Sequence, residues 1–353
     1  MKMKRLNLYG MALLFTIASL IPCAGYGASA HRSDVYVAGT KDNVATLWKN
    51  GIAQKLADAG ADSTANSVYV SGDDAYVAGA KDCGATLWKN GVVQKLADAN
   101  ADSVASSVYV SGNDVYVAGH ETNMQGNNLN HIAILWKNGV AQNLTIGKYS
   151  TVASSVYVSG NDVYVAGYYE EGSGNDYHTV ATLWKNGVAQ RLTDGKNFSG
   201  AASVYVSGRD VYVAGYKSNA LGNEVATLWK NGVTQHLSND GSVDAGAGSV
   251  YVSDGNVYVA GANDLNHATL WKNGAAQNLS TESRFPGADS VYVSGNDVYA
   301  AGGGDTARDI EVAILWKNGV EQHLAGTNAT ANSVFVSAPD SPSRQKAGEG
   351  RSH

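Results

Sequence analysis

Past the first thirty residues, apolar positions fall in short runs, and residues 107–144 show the unit. Ser107-Val-Tyr-Val-Ser111 is followed by Gly112-Asn113 and Asp114-Val-Tyr-Val-Ala-Gly119. After a polar stretch come Ala133-Ile-Leu-Trp-Lys137, Asn138-Gly139 and Val140-Ala-Gln-Asn-Leu144. Each run is rich in Val, Tyr and Trp and bounded by turn residues, which predicts a strand. Helical periodicity is absent from the whole region. In Val108-Tyr109-Val110 both strand faces are apolar or aromatic, as in a sheet covered on both sides. Asn-Gly favours a type I′ hairpin, because both residues tolerate positive φ. Gly112-Asn113 suits the type II′ form, and Asp254-Gly255 is a further hairpin pair. Each unit is therefore a four-stranded meander, whose strands we label A to D.

The unit recurs. Leu-Trp-Lys-Asn-Gly stands at Leu47–Gly51 and again at residues 87–91, 135–139, 183–187, 228–232, 270–274 and 315–319, and these copies hold all seven tryptophans. Tryptophans at 48, 88, 136, 184, 229, 271 and 316 are separated by steps of 40, 48, 48, 45, 42 and 45 residues. Four short strands at that period predict propeller blades, with each Trp, such as Trp136, packed between neighbouring blades. The first copy opens at Asp34 with strand B, and the missing A arrives last, as Ser333–Ser337. Joining the two ends completes seven copies of every strand, which favours a closed ring over a linear solenoid. The expected fold is all-β: a seven-bladed β-propeller of four-stranded blades, closed by strand 333–337 joining the N-terminal blade.

The repeat region resembles bacterial secreted β-propeller repeat proteins carrying the Trp-Lys-Asn-Gly signature. That resemblance implies the fold and no particular activity. The repeats depart from other propellers: Trp is followed by Lys rather than Asp, no sialidase-type aspartate box occurs, and the one Kelch-like glycine run is Gly302-Gly303-Gly304.

Residues 1–30 read as a cleaved secretory signal: Lys2, Lys4 and Arg5, an apolar run from Met11 to Ile21, then Ala28-Ser29-Ala30. The run is too short for a membrane helix, which needs about 20 residues. A lipoprotein anchor at Cys23 is the alternative, with Pro22 departing from the small residue expected there. The domain reading is signal 1–30, propeller 31–337 and disordered tail 338–353. The chain is expected to be secreted or periplasmic. Net charge is −6, and −9 without the leader; such a surface repels phosphate backbones and anionic lipid, so nucleic acid and membrane insertion are not expected. Loss of Cys23 leaves Cys83 alone, without an internal disulfide; an inert thiol or a disulfide-linked dimer are its readings, and a monomer is expected.

Strand parity puts the A–B and C–D turns on one plain face and the B–C and D–A loops on the other. The D–A spacers are nearly constant at 8–11 residues, whereas the B–C loops hold 5, 5, 13, 13, 10, 6 and 10. Variation on a repeated scaffold is where function concentrates. The two longest loops are neighbours, His120–Ile132 and Tyr168–Val180. Within them His120, Glu121, His131, Tyr168, Tyr169, Glu170, Glu171, Tyr177 and His178 are the candidate ligand-binding residues, since aromatic faces beside carboxylates and amides suit a sugar or a protein anchor. Solvated loops are the bland alternative. No tight metal-ligand spacing, nucleophile elbow or phosphate-binding glycine loop is present, so no metal, cofactor or catalytic residue is assigned. Asp58, Asp62, Asp98 and Asp102 lack the alternating spacing of a calcium loop. The reading is a secreted non-enzymatic binding or scaffold propeller recognising an extracellular glycan or protein. The alternative is a propeller hydrolase or lyase acting on an extracellular polysaccharide. At the plain-face end of each B–C pair, Asp114 and Lys137 and their repeats are expected to meet across the strands.

Overall fold

The computed structural model describes residues 33–97, 102–125, 128–238, 244–263, 267–279, 284–306 and 310–337. The leader (1–30) and tail (338–353) lie outside the described residues. Seven four-stranded antiparallel sheets form a seven-bladed β-propeller, and no α-helix occurs among the described residues. Blade one is assembled from both ends of the chain. Its strand A, Ala329–Val336, starts four residues earlier than the sequence pattern marks it and pairs with Val35–Lys41 through seven register partners. Ser337 N–H donates to the Asp34 carbonyl at 2.9 Å, fastening the two ends on the plain face.

The turns follow their residues. Asn138 and Gly139 have φ of 51° and 80°, and Asp254 and Gly255 have 49° and 74°, both residues left-handed as a type I′ hairpin requires; Gly112, at 59°, fits the first position of type II′. The tryptophans are sealed between blades. Trp136 is fully buried and packs with Val117 of its own blade against Tyr76, Ala78 and Leu87 of blade two. Burying one such side chain from water contributes about 2–3 kcal/mol. The expected Asp–Lys contacts are present in six blades at 2.7–2.8 Å, for example Lys137 Nζ to Asp114. Two partners complete the motif: Asn138 Nδ2 donates to the same carboxylate at 2.7 Å, and Lys137 lies over the Tyr116 ring. In blade six Asn256 replaces the acid and receives Asn273 Nδ2 at 2.9 Å.

Strand A is innermost. Each strand A carries a one-residue bulge, as between Ala105 and Ser107, and the serine just beyond it reaches the next blade. Ser67 Oγ accepts the Val108 N–H, Ser107 the Val156 N–H, and so on around to Ser333 and Val68. Seven bonds of 3.0–3.2 Å thus close a circle. Two residues further along, Tyr69, Tyr109, Tyr157, Tyr205, Tyr251, Tyr292 and Phe335 form a second closed circle. Neighbouring ring centroids are 4.7–4.9 Å apart, and each pair is tilted by 46–52°. This collar constricts the central channel.

Candidate functional site

The two long connections are ribbons rather than open loops. In blade three the ladder continues to a Gln125↔Asn128 pair at the end of strands Asp114–Gln125 and Asn128–Lys137. In blade four, strands Asp162–Glu171 and His178–Lys185 extend to a Glu171↔His178 pair, capped by a 3-10 turn at Gly174–Asp176. Blades one and two turn back on two residues with positive φ, Asp42-Asn43 and Asp82-Cys83; the exposed Cys83 sits at such a tip. Extra length here buys projection above the variable face. Ser150, on the spacer between the ribbons, ties their bases together: its Oγ accepts the His131 N–H at 3.1 Å, and its carbonyl accepts the Glu170 N–H at 2.8 Å.

Strand alternation sends successive side chains to opposite faces, so the nine candidate residues divide. His120 and His131 meet edge to face with centroids 4.9 Å apart. Thr122 Oγ1 is 3.0 Å from His131 Nδ1. Burial, and then the neighbouring His131, depress the His120 pKa to about 4, so this pair is neutral-imidazole packing at neutral pH on the His120 side. Glu121 lies on the opposite side of the ribbon, opposite Ser103 and Ile132.

In blade four the second group is Tyr169, Glu171 and His178. Tyr169 is buried, 5.5 Å from Tyr149 and under the Arg191 guanidinium at 5.8 Å. Glu171 accepts from Arg191 at 3.1 Å, while His178 Nε2 stands 3.5 Å away, too far for a strong hydrogen bond. His178 Nδ1 is 2.7 Å from the Asp176 carbonyl. These groups largely satisfy one another.

The third group faces blade five. Burial raises the Tyr168 pKa, with the Glu170 charge adding to it. Burial, and then the nearby Glu170 charge, push the Tyr177 hydroxyl up to about 12. Its ring is tilted 58° against Phe198 at 5.7 Å, and both remain open to solvent, at 42% and 41%. They border a cavity of about 670 Å³ whose wall also includes Asp176, His178, Lys196 and Leu221. A smaller cavity, about 330 Å³, continues it past Asn197, Lys217 and His236. Another cleft, about 480 Å³, lies between blades seven and one on the plain face. Its polar groups Asn50, Asp297 and Lys317 are already paired within the repeated motif.

Of the nine, then, Tyr177 and His178 line the groove directly and Glu170 supports Tyr177. The histidine pair, Glu121 and Tyr169 do not join them. Sequence reasoning missed Phe198, Lys196 and Leu221. Phe198 left a signal, an aromatic residue in a spacer of otherwise small and polar residues; Tyr149 left the same one.

No protein-family model matches the chain, and no curated protein matches it. Among solved structures it is similar to a puromycin hydrolase (TM-score 0.54, 10% identity, 83% of this chain and 52% of that one). A puromycin-hydrolysing peptidase of Mycobacterium tuberculosis gives 0.54, 10%, 82% and 53%. The acylaminoacyl peptidase of Pyrococcus horikoshii gives 0.50, 13%, 84% and 53%. The chain spans about half the length of these peptidases, and identities this low establish the propeller architecture alone.

Proposed function

We propose that this chain is a secreted, non-enzymatic binding propeller that takes an extracellular glycan in the groove between blades four and five. The observation that carries the reading is the exposed, tilted Tyr177–Phe198 pair beside the cavity of about 670 Å³. Among the described residues these are the aromatic side chains left exposed, and they stand next to a carboxylate, an imidazole, an amide and an ammonium. Such a rim can bond hydroxyls while the rings cover a sugar's C–H face. Glu170 and Glu171 do not support the hydrolase alternative. As consecutive strand residues they point to opposite faces of the ribbon, so they cannot flank one glycosidic bond.

The test is a glycan and surface-protein binding screen with the chain from residue 31 onward, repeated with Tyr177→Ala and Phe198→Ala. Each substitution is expected to weaken the interaction by about tenfold or more, as truncating an interface anchor does. Both side chains are exposed, so folding should be untouched. A ligand whose affinity survives both changes moves the site elsewhere. A hit confined to proteins would replace the glycan with a protein partner.

A further inference from the structure

The channel mouth on the variable face breaks the sevenfold pattern of the ring. On blades one to four the bulge residues of strand A are Asn332, Asn66, Ser106 and Ser154; on blades five to seven they are Ala202, Gly248 and Asp289. Two positions further toward the mouth, blades five to seven carry Gly200, Gly246 and Gly287, where the other four blades carry Thr or Val. A Cβ placed on Gly246 or Gly287 would meet no heavy atom within 4 Å. Gly200 is covered by the Tyr216 ring, so blades six and seven are the part that presents nearly bare backbone, around a single carboxylate.

Asp289 is exposed to channel water, and desolvation by the surrounding protein still raises its pKa to about 6. The corresponding amides of Asn66 and Asn332 donate to the carbonyls of Ala105 and Ala65, at 3.0 and 2.9 Å. Among the described residues no hydrogen bond or ion pair engages the Asp289 carboxylate. A carboxylate without a protein partner is open to an incoming cation. Beneath it, along strand A, lies the aromatic collar. Seven centroids spaced 4.7–4.9 Å apart define a circle about 5.5 Å in radius, which the rings themselves largely fill. The recess therefore ends on the tyrosine collar.

We propose that this recess is a second binding site, for an alkylammonium group: Asp289 is its charge partner, the bare backbone of blades six and seven gives it room, and the rings of the collar lie beneath it. The class follows from the donor set. A divalent metal needs several oxygen or imidazole ligands, and no cluster of three His, Cys, Asp or Glu exists among the described residues. An organic cation needs one carboxylate and an aromatic surface. The net charge of −6 draws cations toward the protein.

The experiment titrates butylammonium chloride into the chain from residue 31 onward, at about pH 7.5 so that Asp289 is ionised, with 1-butanol as the neutral counterpart. Binding is read by calorimetry or by chemical-shift changes. The parent should bind butylammonium and not butanol. Asp289→Asn, which keeps the shape and removes an uncompensated charge, should weaken binding about tenfold or more. Gly246→Leu, which fills the recess, should abolish it, and melting curves on both variants verify folding. Tyr177→Ala should bind butylammonium as the parent does, so failure of the blade-four groove and failure of this site are separable. No butylammonium binding to the parent, equal binding by butanol, or an Asp289→Asn affinity equal to the parent's would each overturn the assignment.

Discussion

Blade six holds two glycines whose fates under the same substitution should be opposite. Gly261, next to the end of strand Asn256–Ala262, faces the bulge of strand Gly246–Ser253 and is paired with Ala247. An added Cβ would lie well inside contact distance of the Gly246 carbonyl oxygen and 3.0 Å from the Ala247 Cα. These are backbone atoms of the innermost strand, which cannot swing aside as a flexible side chain would. For the contact to relax, the two strands must separate by more than about 1 Å at the bulge. That overpacking costs about 1–3 kcal/mol. Losing a ladder hydrogen bond beside it adds about 0.5–1.5 kcal/mol, and the unfolded-chain entropy gained by replacing glycine returns only about 0.4–1 kcal/mol. Gly261→Ala should therefore destabilise by roughly 1–3 kcal/mol. At about 2 °C per kcal/mol for a domain this large, the melting temperature falls by several degrees.

Gly246 is the internal control. It lies on the facing strand, its φ is not in the left-handed region, and a Cβ there meets nothing within 4 Å. Gly246→Ala should be neutral or stabilising by about 0.4–1 kcal/mol. Urea titrations and thermal melts of the two variants beside the parent decide the matter. A Gly261→Ala protein as stable as the parent, or equal losses in both variants, would refute the close-approach account of the glycine that faces the strand A bulge in all seven blades.

Two further predictions concern pH and ring closure. His120 has its folded pKa lowered to about 4 by burial and then by His131, below an unfolded value near 6.5, so the unfolded chain binds the extra proton. The stability it confers is complete above about pH 6.5 and is lost as pH falls toward 4, a change on the order of 2–3 kcal/mol; urea midpoints across that range should fall for the parent, and His120→Asn should flatten this part of the slope. Removing residues 339–353 touches no contact described above and should leave the melt unchanged. Removing 329–353 deletes strand Ala329–Val336, two bonds of the serine circle and Phe335 of the collar, and should lower the melt sharply; equal melts would contradict closure by the last strand.

The architecture was legible because every blade repeats the same local instructions. Val108-Tyr109-Val110, the Asn138-Gly139 turn and the buried Trp136 each specify strand, hairpin and inter-blade face independently, and all agree. Even the Asp114–Lys137 pair follows from register alone. What stayed hidden is what depends on register between distant strands. Gly119 reads as a mere boundary, yet the strand runs on to Gln125, and a glycine is needed there because the backbone of Val104 and Ala105, beside the Ser106 bulge, comes too close for a Cβ. Ser107 reads as strand punctuation, yet it closes the circle onto Val156. At the candidate site, loop length pointed to blades three and four, whereas the groove lies between blades four and five. Alternation on the ribbons then sent Glu121 away from His120, and Tyr169 away from Tyr168. The groove was completed by Phe198 and Leu221, one from a spacer and the other from the neighbouring blade's B–C connection. Sequence repeats mark where the chain must be alike. Departures such as Phe198, and Asp289 where other copies place Asn, Ser, Ala or Gly, mark where this one can act, because the shared fold does not require them.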